Sequence, residues 1–287
     1  MKTSYLLLAL PLLLLASMKS DKPAYEFYNE EGKLVDYDKV LKEAEKADII
    51  FFGEIHNSPI CHWLQLELTK DLYKEKGSNL ELGMEMFEAD NQLILDEYLI
   101  GRVAEKNFEE EAKLWKNYRT DYKPLITFAK DHGVPLIATN VPRRYAAMVS
   151  KGGFEPLDSL TNGAKNYIAP LPIKYDPELK CYKDMLGMGM SGHSGDNLPK
   201  AQAIKDATMA YFIMKNRKPG ATFLHFNGSY HSDNFQGIVW YIKQQNPEIK
   251  ILTISSVEQD TIEDLKPENQ NIADYILCVP TDMTKTQ

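Results

Sequence analysis

The side chains best suited to chemistry in this chain are Glu54 and His56, Glu85, and His231, because carboxylates and imidazoles ligate metal ions and move protons near neutral pH. Gly53-Glu54-Ile55-His56 and Gly228-Ser229-Tyr230-His231 share a Gly-x-x-His spacing, in which glycine lets the backbone approach closely beneath the imidazole. His56, Glu85 and His231 form a candidate ligand set for a divalent transition metal, which would acidify a bound water for hydrolysis of an ester or amide. Without metal, Glu54 or Glu85 with His56 could serve as a general base. These spacings are looser than a His-Glu-x-x-His helix, so they do not by themselves select the metal reading.

A second chemistry is haem ligation, for which His, Tyr, Met and Cys are the usual axial groups. The run from Met185 to Gly195 offers several Met and one His on an irregular segment, with Tyr175 and Tyr182 beside it. Tyr175, Tyr182, Met190 and His193 are therefore candidate haem-binding residues, although a plain surface loop would look the same. His62 and Gln65, three apart on one helix face close to His56, and Arg143 beyond a strand complete the candidate set. His132, just before Gly133, reads as a helix C-terminal cap, and His225, inside a strand pattern, as a core histidine.

Those groups need elements to hold them. Residues 49–52, Ile-Ile-Phe-Phe, are a short apolar run suited to a strand buried on both faces, and Ser58-Pro59 reads as the start of a helix. Further strands are expected at 79–84, 134–138, 222–226, 250–254 and 275–279, with a hairpin over 24–35 turning at Glu31-Gly32. Helices are expected at 37–47 behind an Asp36 cap, from 59 to about 76, at 198–215 and at 234–245. Residues 88–128 are helical in pattern, with Asp121 as a cap and Trp115, Tyr118 and Tyr122 as packing residues. The alternation predicts an α/β fold with a mostly parallel central sheet flanked by helices, and the Gly- and Pro-rich segment 151–200 reads as a lid or insertion. Glu54 and His56, Glu85, Asn140 with Arg143 or Arg144, and Asn227 with His231 each follow a strand. In a parallel sheet they would converge on one edge, where such folds bind ligands.

The 287-residue chain is 44% hydrophobic and 26% charged, a globular balance with ample core material. Its formal net charge of −8 argues against a nucleic-acid partner. Lys2, the apolar run from Leu6 to Ala16 and the small pair Ala16-Ser17 read as a signal peptide over 1–20, leaving a single domain over 21–287. An uncleaved anchor is the alternative, but the apolar run falls short of the ~20 residues a span requires. No Cys follows that run to carry a lipid, so export to the periplasm or cell surface without a lipobox anchor is expected. Cys61, Cys181 and Cys278 are too few and too scattered for a disulfide framework, and Cys278 sits in an apolar run as a core residue.

Taken in order, Gly53-Glu-Ile-His-Asn-Ser-Pro59 with His62 and Gln65, Gly83-Met-Glu-Met-Phe87, Asn140-Val-Pro-Arg143, Gln202 with Asp206, Met209 and Ala210, and Asn227-Gly-Ser-Tyr-His231 resemble the ChaN family of haem-binding, iron-regulated proteins. The likeness runs from about residue 47 to 254. The family is grouped with TIKI metalloproteases and erythromycin esterases, in which Gly-x-x-His motifs and a Glu form a metal or catalytic centre. The resemblance implies a haem-binding protein of the bacterial envelope serving haem and iron acquisition, with an α/β core and a helical addition. It further implies haem as cofactor, a divalent transition metal as a second candidate, and a homodimer and outer-membrane uptake machinery as partners. It fixes no axial ligand. Two departures stand out: ChaN relatives are often lipoproteins, and Tyr230 stands where the second glycine motif more usually reads Asn-Gly-x-Gly-His.

Overall fold

The computed structural model describes residues 22–187 and 197–286. Met190, His193 and the expected signal peptide lie outside the described residues. The chain opens with β1 (Glu26–Asn29) and β2 (Leu34–Val35), an antiparallel hairpin whose turn needs the left-handed φ of +80° at Gly32. Asp36 then caps α1 (Tyr37–Ala44) by accepting the Lys39 N–H at 2.8 Å.

Next come β3 (Ile49–Glu54), α2 (Pro59–Lys76) and β4 (Leu80–Glu88). Two short helices, α3 (Gln92–Leu99) and α4 (Glu105–Glu111), precede a five-residue π-turn at Tyr118–Tyr122, and α5 (Lys123–His132) follows. β5 (Leu136–Asn140) and α6 (Arg143–Gly152) lead into α7 (Asn162–Lys165), α8 (Lys180–Gly187) and the long α9 (Leu198–Asn216). β6 (Thr222–Gly228), α10 (Ile238–Gln245), β7 (Ile251–Gln259) and β8 (Tyr275–Pro280) complete the order.

The strands form one eight-stranded sheet in the order β2-β1-β8-β7-β3-β6-β4-β5. Its six strands from β8 to β5 are parallel, and the β1–β2 hairpin covers the β8 edge in antiparallel pairing. The run 49–52 shows why the sheet is buried on both sides. Ile50 and Phe52 enter the core formed with α1, α2 and α5, whereas Ile49 and Phe51 enter the core formed with α6, α9 and α10. That is the two-residue alternation of a strand covered on both faces.

Several expectations need correction. β3, β4, β6 and β7 run past their apolar stretches, because backbone pairing continues through polar residues: Gly53 aligns with Asn227, and Glu54 with Gly228. Glu54 and Glu85 are thus strand residues, not loop residues. Ser58 precedes α2 but makes no side-chain cap bond. The stretch 88–128 is broken into several pieces, and Asp121 lies within the π-turn, where it caps nothing. The helix expected from 234 begins at Ile238, after short turns in which Asn234 and Phe235 take left-handed φ values of 58° and 57°. Among the described residues, no helix is long and apolar enough to cross a membrane.

Candidate functional site

Four adjacent parallel strands end at one cleft of about 640 Å³. β3 brings Glu54 and, two residues later, His56. β4 brings Glu85 and Glu88, β5 brings Asn140, and β6 brings Gly228 with His231 in the turn beyond it. Of the groups expected to converge, Glu54, His56, Glu85, Asn140, Arg143 and His231 line this space, whereas Asn227 is buried with its side chain bonded to His225, the Gly228 carbonyl and Ser232. Arg143 at the start of α6, Gln202 and Lys205 on α9, Met185 on α8, Tyr230 and Trp115 complete the walls.

The first polar chain is built on Glu54. Its Oε1 accepts the His56 Nδ1–H at 2.9 Å and the Tyr122 hydroxyl at 2.7 Å, while Oε2 accepts the Gln65 amide at 2.6 Å. Burial opposes charge on Glu54, yet the His56 hydrogen bond and the His62 and His56 imidazoles outweigh it and hold its pKa below the usual range. Burial likewise opposes protonation of His56, and the Glu54 and Glu85 carboxylates more than offset this, raising it. The His56 side chain remains 44% exposed. With Nδ1 held by Glu54, Nε2 makes no hydrogen bond among the described residues. A carboxylate behind one ring nitrogen fixes the ring and strengthens the other nitrogen as a base or ligand.

Behind this pair lies a buried layer. His62 Nδ1 is 3.2 Å from the Gln65 side-chain oxygen, and its Nε2 is 3.1 Å from the His56 carbonyl and 3.4 Å from Asp121. Asn117 donates to both the His56 carbonyl (2.7 Å) and Asp121 (2.6 Å), and Thr286 near the end of the chain donates to Asp121 at 2.6 Å.

The second chain is built on His231, which is buried between two carboxylates. Nε2 lies 3.2 Å from Glu85, and Nδ1 donates to Asp206. Glu85 also accepts the Gly228 N–H at 2.7 Å, and Asp206 accepts the Tyr182 hydroxyl at 2.8 Å. Burial alone would push the imidazole down, but Glu85 and Asp206 raise it to about 9. Glu85 moves well below the usual carboxylate range: burial opposes its charge, and His231, His56 and the Gly228 amide overcome that. At neutral pH the motif is an imidazolium clamped by acids.

The two chains meet at Gly228. A Cβ there would lie 2.8 Å from His56 Cε1 and Nε2 and 3.6 Å from Glu85 Oε2, so the imidazole packs directly on the glycine backbone.

Individual expectations divide. His62 and Gln65 are not cleft walls but the support of Glu54. Tyr182 is fully buried with its hydroxyl committed to Asp206, and Tyr175 packs against it with ring centroids 5.5 Å apart, so neither lines the cleft. Arg143 does line it. Of the described part of the expected lid, Met185 reaches the cleft. His132 bonds the Phe128 carbonyl at 3.0 Å in the last turn of α5, and His225 is buried between Thr139 and Asn227. Trp115 and Tyr122, read as packing residues, belong to the site: the Trp115 ring stands edge-on to His56 at 4.9 Å, and Tyr122 orients Glu54.

His56, Glu85 and His231 share the cleft without forming a ligand set. Both His231 nitrogens face carboxylates, and among the described residues no group of three or more His, Cys, Asp and Glu side chains is arranged to hold a metal ion.

Against known families, residues 40–242 match the profile described as haem-binding uptake, Tiki superfamily, ChaN. Among solved structures, the chain is similar to one described as cofacial heme binding to ChaN of Campylobacter jejuni. That match has 18% identity and a TM-score of 0.66, covering 88% of this chain and 96% of the other. It is also similar to an erythromycin esterase variant in its open conformation, at 10% identity and a TM-score of 0.52 over 91% of this chain and 98% of that one. Both likenesses show the fold. A curated relative, protein RETICULATA-RELATED 5, chloroplastic, of Arabidopsis thaliana, is 25% identical over 194 residues, 63% of this chain. The chain spans about a quarter of that relative's length, 26%.

Proposed function

Because the chain belongs to the ChaN family of haem-binding uptake proteins in the Tiki superfamily, we propose that it binds haem in the cleft over the ends of β3, β4, β5 and β6. The observation that carries this is His56: half exposed on the cleft wall, gripped at Nδ1 by a buried carboxylate, with Nε2 unbonded among the described residues. That is the donor chemistry of an axial imidazole whose basicity is raised from behind. The fit extends to the walls. Trp115 offers an aromatic surface beside His56, and Arg143 and Lys205 offer cations to a ligand that carries carboxylates. When bound, the haem supplies the iron; the chain holds, orients and shields it.

The same reading makes this a haem-uptake protein of the bacterial envelope, in the periplasm or on the cell surface, delivering to or from outer-membrane machinery. The description of the Campylobacter protein's haem as cofacial supports a homodimer formed around the ligand.

Adding haem to the purified apo-protein should give a saturable Soret shift, and His56→Ala should move the band while leaving the fold intact by circular dichroism. A spectrum identical to that of free haem would overturn the reading. Light scattering with and without haem tests the dimer.

A further inference from the structure

The acids of the cleft are compensated within the fold, whereas the cation on its α6 wall is held by one long ion pair and the cation on its α9 wall by none among the described residues. Glu54 is held by His56, Tyr122 and Gln65, and Glu85 by His231 and the Gly228 amide. Glu88 takes the Lys113 ammonium at 3.0 Å. Arg143, by contrast, reaches only to 3.7 Å of Glu88, with its side chain 78% exposed. Lys205 has no carboxylate within salt-bridge distance among the described residues.

Beside Arg143 lies an orphaned amide. Asn140, the last residue of β5, is 8% exposed and lines the cleft, and its Oδ1 is buried with no hydrogen-bond partner. Its amide makes no bond among the described residues. The unbonded Nδ2 amide is the donor available to an anionic oxygen; the unpartnered Oδ1 is an acceptor and adds nothing to an anion site. Three residues on, α6 begins at Arg143 behind Pro142. Tyr145 and Ala146 bond back to the Pro142 carbonyl, whereas the amides of Arg143 and Arg144 precede the first intrahelical bond. The first turn of this ten-residue helix therefore has free N–H groups and its positive end at Arg143, which lines the same cleft as Asn140.

We propose that Asn140, Arg143 and the first turn of α6 form an oxyanion subsite that takes a carboxylate of the ligand, with Lys205 on the α9 wall as a second cation. The inference rests on the haem reading and deepens it: the carboxylate is a porphyrin propionate, and the subsite fixes which edge of the macrocycle enters. Arg143 supplies a planar fork suited to two carboxylate oxygens, which a lysine at that position could not reproduce.

The test compares haemin with haemin dimethyl ester, whose carboxylates are capped, on the full-length protein by Soret titration. Wild type should bind haemin about tenfold more tightly than the ester, the worth of one charge-assisted hydrogen bond. Arg143→Gln and Asn140→Leu should narrow that ratio to about twofold, and Arg143→Lys should recover only part of it. Because Arg143 is exposed, its variants fold, which keeps the test open if Asn140→Leu does not. Equal affinity for acid and ester in wild type, with a normal Soret shift, overturns the subsite and leaves haem binding standing. Where neither porphyrin shifts the band, the haem reading fails. The subsite is then judged with glutarate: a rise in melting temperature abolished by Arg143→Gln sustains it, and no rise overturns it.

Discussion

Gly228 and His56 are in direct contact across the floor of the cleft, with no room for even one carbon between them. The contact joins the two polar chains, since the amide of the same glycine holds Glu85. Gly228→Ala should therefore push His56 off Glu54 and tilt the ring. The expected outcome is an altered Soret band in the haem complex and a loss of about 1–3 kcal/mol in unfolding free energy, the usual cost of overpacking a fixed site. A variant with wild-type spectrum and stability would show that His56 is free to move aside.

Protonation of His231 makes stability depend on pH. Its folded-state pKa, about 9, lies above the ordinary 6.5, so the stabilisation is fully present below pH 6.5 and is lost as pH rises through 9. Glu85 acts with the opposite sign: its depressed pKa stabilises the fold above the ordinary 4.5 and is lost on acidification. Denaturant melts of wild type and His231→Gln at several pH values should show their difference shrinking between pH 6.5 and 9, by up to roughly 3 kcal/mol from the shift alone. A constant difference would mean that His231 is neutral in the fold.

Glu54 sets the charge state of His56 from behind. Replacing it by Gln removes the hydrogen-bonded carboxylate, and the His56 pKa should fall towards what burial dictates. Titration of the imidazole Cε1 proton by NMR in the apo-protein reads this directly. An unchanged midpoint would assign the raised value to Glu85 instead.

Tyr122→Phe deletes one of the two bonds on Glu54 Oε1 and leaves the other, to His56. A loss of about 1–3 kcal/mol in stability is expected, because the hydroxyl is buried and bonded to a charged group. Haem affinity should fall with it, as Glu54 gains freedom. Thermal melts and Soret titration of the same sample separate the two effects.

Much of this site was legible in the chain, for local reasons. The apolar run 49–52 announced a buried strand, and a carboxylate and an imidazole just past it marked the ligand edge of an α/β sheet. Glu85 and His231 followed by the same rule. Less visible was everything set by contacts between distant segments. Tyr122 reaches Glu54 across 68 residues, and Tyr182 reaches Asp206 across 24, so neither hydroxyl's role is carried by its neighbours in sequence. The strands exceeded their apolar runs because ladder bonds are made by the backbone, which Gly53 and Asn227 supply as readily as Phe52. Trp115 looked like filler because an aromatic residue at a cleft wall and one in a core share the same local pattern.

The hydroxyl of Tyr182 ties α8 to Asp206, and Tyr230 donates to the Cys181 carbonyl one residue away. Helix α8 is thus moored to the buried histidine at one end, while Met185, a turn further on, stands in the cleft wall. One short helix therefore contributes both to the rim of the cleft, through Met185, and to the support of the imidazolium beneath it, through Tyr182.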